Sequence, residues 1–111
     1  MIDQKRLKEL VEDFGEEDLA ELIESFLEEA AGSVAALEGE ISGEYSKDRS
    51  ELFHFIKGCA LNVGATDLAE KCGAYETRDS GFTAEEYQAL RSNFDAVQAY
   101  FQNGNALGKV A

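Results

Sequence analysis

His54 is the only histidine in the chain, and it stands in the stretch ELFHFIKGCALNVGA, from Glu51 to Ala65. Lys57 follows three residues later and Gly58 four residues later. A helix turns about 100° per residue, so H-x-x-K-G puts all three on one face. A neutral imidazole is a nucleophile, and a neighbouring cation disfavours the charged ring. The same cation can support a phosphoryl group once it sits on the ring. Glycine costs about 1 kcal/mol relative to alanine inside a helix. Clearance for a second molecule approaching the imidazole is one reason to accept that cost. Each residue alone has a plainer reading: a solvated lysine, a glycine that lets helices pack, and a histidine buried between two phenylalanines.

Helical phase separates these readings. With His54 at zero, Leu52, Ile56, Cys59, Ala60 and Val63 fall between about 140° and 240°. Lys57, Gly58 and Leu61 fall within about 60° of the histidine. Phe53 and Phe55 lie roughly 100° away on either side. If the apolar set faces a core, His54 faces outward and the two phenylalanines mark the borders of the buried stripe.

The rest of the chain must position that face. Its apolar residues follow three- and four-residue steps almost throughout, which predicts helices. A short helix over about 3–14 carries Leu7, Leu10, Val11 and Phe14 and ends at Gly15. Glu16, Glu17 and Asp18 then make an acidic first turn, suited to the positive end of a helix dipole. The next stripe runs Leu19, Leu22, Ile23, Phe26, Leu27, Ala30, Val34, Leu37 and Ile41, through Gly32 and Gly39. Ser42–Lys47 reads as a loop, and Asp48 with Glu51 as a capping box for the His54 helix. Gly64 is placed to end that helix, and Thr66 or Asp67 to cap a fourth carrying Leu68, Cys72 and Tyr75. Arg78–Phe82 reads as a loop. Thr83 with Glu86 forms a capping box, and Phe82 with Tyr87 a hydrophobic staple, for a last helix bearing Leu90, Phe94, Val97 and Phe101. The fold expected is all-α: an antiparallel four-helix bundle over about 16–102, the short N-terminal helix covering one end, and a frayed tail at 103–111.

Composition narrows the function. The chain has 111 residues, 44% of them hydrophobic, enough for one domain with one core. It has no proline, which removes the strongest helix breaker. Acidic residues number 23 against 10 basic, a formal net charge of −13. Such a surface repels nucleic acid and anionic lipid and favours partners with a basic or neutral docking face. Cys59 and Cys72 read as reduced core residues. One histidine and two buried thiols are too few for a metal-binding bundle. No apolar run is long enough to span a membrane, and MIDQKRLKEL lacks the apolar segment of a signal peptide, so a cytoplasmic location is expected.

The stretch HFIKGCALNVGATDLAEKCGAYE resembles the histidine-containing phosphotransfer (HPt) domains of two-component phosphorelays. It carries H-x-x-K-G, then Asn62, the Gly64-Ala65 pair, Leu68, Cys72 and Glu76 at that family's intervals. DFGEEDLAELIESFLEEA, Asp13–Ala30, resembles the family's second helix, and the likeness covers roughly residues 7 to 101. The resemblance implies that His54 accepts a phosphoryl group from one receiver aspartate and passes it to another, through the ring nitrogen farther from the main chain. Lys57 would support the phosphoryl group, and Gly58 would leave room for the receiver domain. No cofactor of its own is implied, Mg²⁺ being supplied by the receiver. Cys59 and Ala60 stand where small hydroxyl residues are common, and Tyr75 where an aliphatic residue is usual. Related chemotaxis-kinase domains orient the histidine with an acidic group. Glu76 stands at that interval, although a solvated helix-end carboxylate is an equally good reading of it.

Leu61 is apolar yet shares His54's face, which marks it for partner contact. Phe55 is a second candidate, with half-burial in the bundle as its alternative. The partners expected are response-regulator receiver domains and a hybrid histidine kinase, and the chain is expected to be a monomer. It has no P-loop and no glycine-rich ATP-binding pattern, so it reads as a phosphoryl carrier and not an autonomous enzyme. Two other readings remain. One is a phosphotransfer domain from a larger chemotaxis-type or hybrid kinase, against which the initial methionine and short tail weigh. The other is a receiver-binding module without transfer, against which the intact H-x-x-K-G weighs.

Overall fold

A computed structural model describes residues 2–102, and the tail expected at 103–111 lies outside the described residues. Five α-helices follow in order: α1 (Gln4–Phe14), α2 (Glu16–Ala36), α3 (Lys47–Asn62), α4 (Thr66–Glu76) and α5 (Ala84–Gln102). No strand occurs among the described residues. Helices α2 to α5 form the bundle, and α1 lies on α2 at one end.

Each helix buries most of the stripe that its sequence predicts, but Phe14 at the end of α1 is 49% exposed, and Leu22, Phe26, Leu52, Tyr75 and Phe101 are only half-buried. The shared core takes Leu19, Ile23, Leu27, Ala30 and Val34 from α2 and Phe53, Ile56, Cys59 and Ala60 from α3. Leu68 and Cys72 come from α4, and Tyr87, Leu90, Phe94 and Val97 from α5. The α2 stripe does not continue as one helix to Ile41. It tightens after Ala36 into a 3-10 turn, Leu37–Glu40, and Ile41 is extended and partly exposed.

Several helix ends differ from the expected caps. Asp48 does not cap α3; Ser46 does, its Oγ accepting from the Arg49 amide at 3.1 Å. Lys47 therefore opens the helix instead of closing the loop, and Asp48 lies in the first turn, where its charge suits the dipole. The cap position of α4 is Ala65, and Thr66 is already the first helical residue. At α5 the capping box forms as expected. The Glu86 amide donates to Thr83 Oγ1 at 3.1 Å, and the Thr83 amide to Glu86 Oε1 at 3.0 Å.

The turn between α3 and α4 sets the site. Gly64 has φ of +76°, a left-handed conformation that glycine adopts without strain. The start of the chain is laid over it: the Asp3 amide donates to the Gly64 carbonyl at 2.8 Å, and Ile2 bridges Ala65. At the other end, Ser42 and Phe82 exchange backbone hydrogen bonds of 3.0 and 2.6 Å. Arg49, buried, donates to the carbonyls of Glu44 at 2.8 Å and Ser80 at 2.6 Å, holding both loops.

Candidate functional site

His54 lies midway along α3 with its side chain 73% exposed. The two phenylalanines beside it are not equivalent borders. Phe53 is fully buried and packs against Tyr75 and Phe82 with ring centroids 5.2 Å from each. Phe55 is 42% exposed. The aromatic cluster draws the α3 core toward Phe53, which turns the histidine face toward solvent on the Phe55 side.

Antiparallel pairing with α4 brings Glu76 to the ring. One turn before His54, Ser50 Oγ donates to the Glu76 carbonyl at 2.9 Å and anchors the last residue of α4. Glu76 Oε1 then lies 2.5 Å from His54 Nδ1, and Lys57 Nζ donates to Glu76 Oε2 at 3.2 Å. The Glu76 side chain is only 17% exposed, so it is a held group and not a solvated carboxylate at a helix end. Lys57 closes on this carboxylate instead of standing free beside the ring.

Partial burial works to raise the Glu76 pKa. The hydrogen bonds and charges of Lys57 and His54 outweigh it and hold the carboxyl below its ordinary value. Glu76 is therefore ionised at neutral pH and can only accept. His54 Nδ1 must carry the proton in that contact. In the neutral ring this leaves the lone pair on Nε2, the nitrogen farther from the main chain.

Gly58 is open: a Cβ built there would meet nothing within 4 Å. Leu61 is 52% exposed and edges a shallow cleft with Lys57, Thr66, Ala69, Glu70 and Gly73. Phe55 edges another, between α2 and α3, with Glu29, Ser33, Asp48, Glu51 and Leu52. Sequence reasoning passed over Gly73, which faces Lys57 across the two helices. The signal was available: Gly73 is a mid-helix glycine, as Gly58 is.

Other groups are chemically quiet. Cys59 and Cys72 are free and buried. Burial raises both thiol pKa values, that of Cys72 to about 12, so neither forms a reactive thiolate at neutral pH. Among the described residues no group of three or more His, Cys, Asp or Glu side chains is arranged to hold a metal ion. None of the described helices is long and apolar enough to cross a membrane.

The described helices thus form a bundle that presents one oriented, exposed imidazole. The family model for the Hpt domain matches residues 21–100, and the chain belongs to that family. Hpt domains are phosphocarriers of two-component systems and interact there with receiver domains and histidine kinases. Searches of curated proteins and of solved structures found no match to the chain.

Proposed function

We propose that this chain relays a phosphoryl group between receiver-domain aspartates through His54. The observation that carries the reading is the Glu76 contact at Nδ1 of an exposed ring, which leaves Nε2 both nucleophilic and open to a partner. The Nε2 lone pair attacks phosphorus of a receiver aspartyl phosphate. The new N–P bond forms as the P–O bond to the aspartate breaks, and the aspartate leaves as carboxylate. The ring, still protonated at Nδ1, gains positive charge, which the ionised Glu76 stabilises at 2.5 Å. The reverse sequence on a second receiver discharges the carrier.

Lys57 serves in two ways: it helps hold the Glu76 carboxyl below its ordinary value, and its ammonium, on the same helix face as His54, supplies a cation for a phosphoryl group on the ring. Gly58 leaves the approach clear, and Leu61 and Phe55 supply apolar contact to the docked receiver. Any Mg²⁺ used in the transfer would be held by the receiver. Action as a monomer in the cytoplasm, beside a hybrid kinase and its response regulators, fits this reading.

The test is direct. A phosphorylated receiver with Mg²⁺ should label the wild-type chain, and His54→Gln should stay unlabelled. Equal labelling of the variant would remove His54 from the mechanism.

A further inference from the structure

We infer that Gly73 is a positioning residue for Lys57: lacking a side chain, it leaves the lane across α4 along which the lysine reaches Glu76. The inference rests on the proposed role of His54, because that role gives the placement of Lys57 its consequence for transfer.

The register of the two helices supplies the argument. His54 on α3 meets Glu76 on α4. Three residues onward on α3 is Lys57, and three residues back on α4 is Gly73. A Cβ built on Gly73 would lie 3.5 Å from Lys57 Cδ and 4.0 Å from Lys57 Nζ. Apart from its chain neighbours and its own helix backbone, no other heavy atom of the described residues lies within 4 Å of that Cβ. The lysine stem thus runs directly over the bare turn at Gly73. Side chains on a helix lean toward its N-terminus, so Glu76 reaches back over the same turn and meets the ammonium there.

Other reasons for a glycine do not apply. Gly73 is not among the glycines with positive φ, so its backbone does not require glycine. No backbone of α3 approaches the added Cβ, so close helix packing does not require it either. At Gly32, Gly39 and Gly58 an added Cβ would meet nothing within 4 Å. Gly73 differs from these in having the Lys57 side chain over it.

Alanine at this position makes only ordinary van der Waals contact with Lys57. A longer side chain occupies the lane and displaces the ammonium from Glu76. Gly73→Ala, Gly73→Leu, Gly73→Gln, Lys57→Met and the double variant Gly73→Leu/Lys57→Met test this. Circular dichroism identifies which of the Leu and Gln variants keep the wild-type fold. The first readout needs no phosphoryl transfer: the Glu76 carboxyl titration, followed by carbon NMR. It should stay depressed in Gly73→Ala and rise toward the ordinary value in Gly73→Leu or Gly73→Gln, as in Lys57→Met.

The second readout is the transfer rate from a phosphorylated receiver. It should fall about fivefold to tenfold in Gly73→Leu, the order expected for one partly exposed charged hydrogen bond. The double variant should be no slower than Lys57→Met alone, because both changes remove one interaction. A Glu76 titration unchanged by the longer side chains, or rate losses that multiply in the double variant, would overturn the inference. Titrations that move as expected in a chain that accepts no phosphoryl group would leave the positioning intact and remove the functional reading instead.

Discussion

Glu76 Oε1 lies 2.5 Å from His54 Nδ1, while Glu76 Oε2 accepts from Lys57 Nζ at 3.2 Å. One carboxylate therefore holds both the exposed ring and the cation beside it. Replacing it with Gln keeps the shape but loses the charge that the ring proton meets. Glu76→Gln should slow phosphoryl acceptance about tenfold to a hundredfold, on the scale of a charged hydrogen bond. Glu76→Ala should go further and mix the ring tautomers. Long-range nitrogen–proton NMR of the imidazole reads the tautomers, and stopped-flow transfer reads the rate. An imidazole spectrum unchanged by Glu76→Ala would deny Glu76 its orienting role.

Gly58 should show stability and function moving in opposite directions. Nothing lies within 4 Å of an added Cβ, so Gly58→Ala should raise stability by about 0.5–1 kcal/mol through helix propensity. That is a rise of a few degrees in melting temperature. If a receiver packs over this face, the same methyl should slow transfer, and Gly58→Leu should slow it more. A faster or unchanged rate in Gly58→Leu would show that no partner approaches here.

Phe55 and Leu61 are exposed apolar residues on the two sides of the histidine face. Phe55→Ser and Leu61→Ser should each weaken receiver binding about fivefold or more, the cost of losing an apolar anchor at an interface. Their melting temperatures should change little, since neither side chain is in the core. Titration calorimetry with a receiver checks the binding, and a pair of variants with wild-type affinity would move the docking face elsewhere.

Acid stability should trace to Glu86. Arg78 grips its carboxylate at both oxygens, 2.6 and 2.7 Å, and with Thr83 holds its pKa at about 2 against an ordinary 4.5. A depressed carboxyl pKa stabilises the fold at pH values above the ordinary pKa. That contribution is lost as pH falls from the ordinary value toward about 2. Glu86→Gln retains an acceptor for the capping box but not the charge. It should melt a few degrees lower at neutral pH and converge with the wild type as pH approaches 2. Parallel melting curves across that range would assign the acid sensitivity to other groups.

Arg49 should prove structural. Arg49→Met leaves the Glu44 and Ser80 carbonyls without their buried donor and should cost about 2–3 kcal/mol in urea unfolding. Transfer by the folded fraction should be preserved.

The stripes on α2, α3 and α5 were legible in the sequence because burial of one helix face imposes a spacing that survives any detail of packing. The Thr83–Glu86 box was legible because both partners lie in one turn. The start of α3 was not, since Ser46 and Asp48 both offer a capping oxygen and only the loop geometry chooses between them. Phe53 and Phe55 sit at equal angles from His54, and nothing within α3 distinguishes them. Their difference comes from Tyr75 and Phe82 on other elements. The interval to Glu76 marked a candidate, but the contact depends on how α4 lies against α3. Arg49 escaped because the Ser80 carbonyl that it holds is distant in sequence, and although a mid-helix glycine marked Gly73, the Lys57 stem that it faces lies on another helix.

The short link Val63–Gly64–Ala65 acts as a length gauge for the whole site. It fixes how many residues of α4 are spent before Gly73 and Glu76 come level with Lys57 and His54, and Asp3 and Ile2 fasten it from outside. One added residue after Ala65 would rotate every later position of α4 by about 100° relative to α3, if the helix kept its seat. Glu76 would swing off the imidazole although no residue of the site had been altered. The arrangement around His54 is in this sense encoded by a count of residues as much as by their identities.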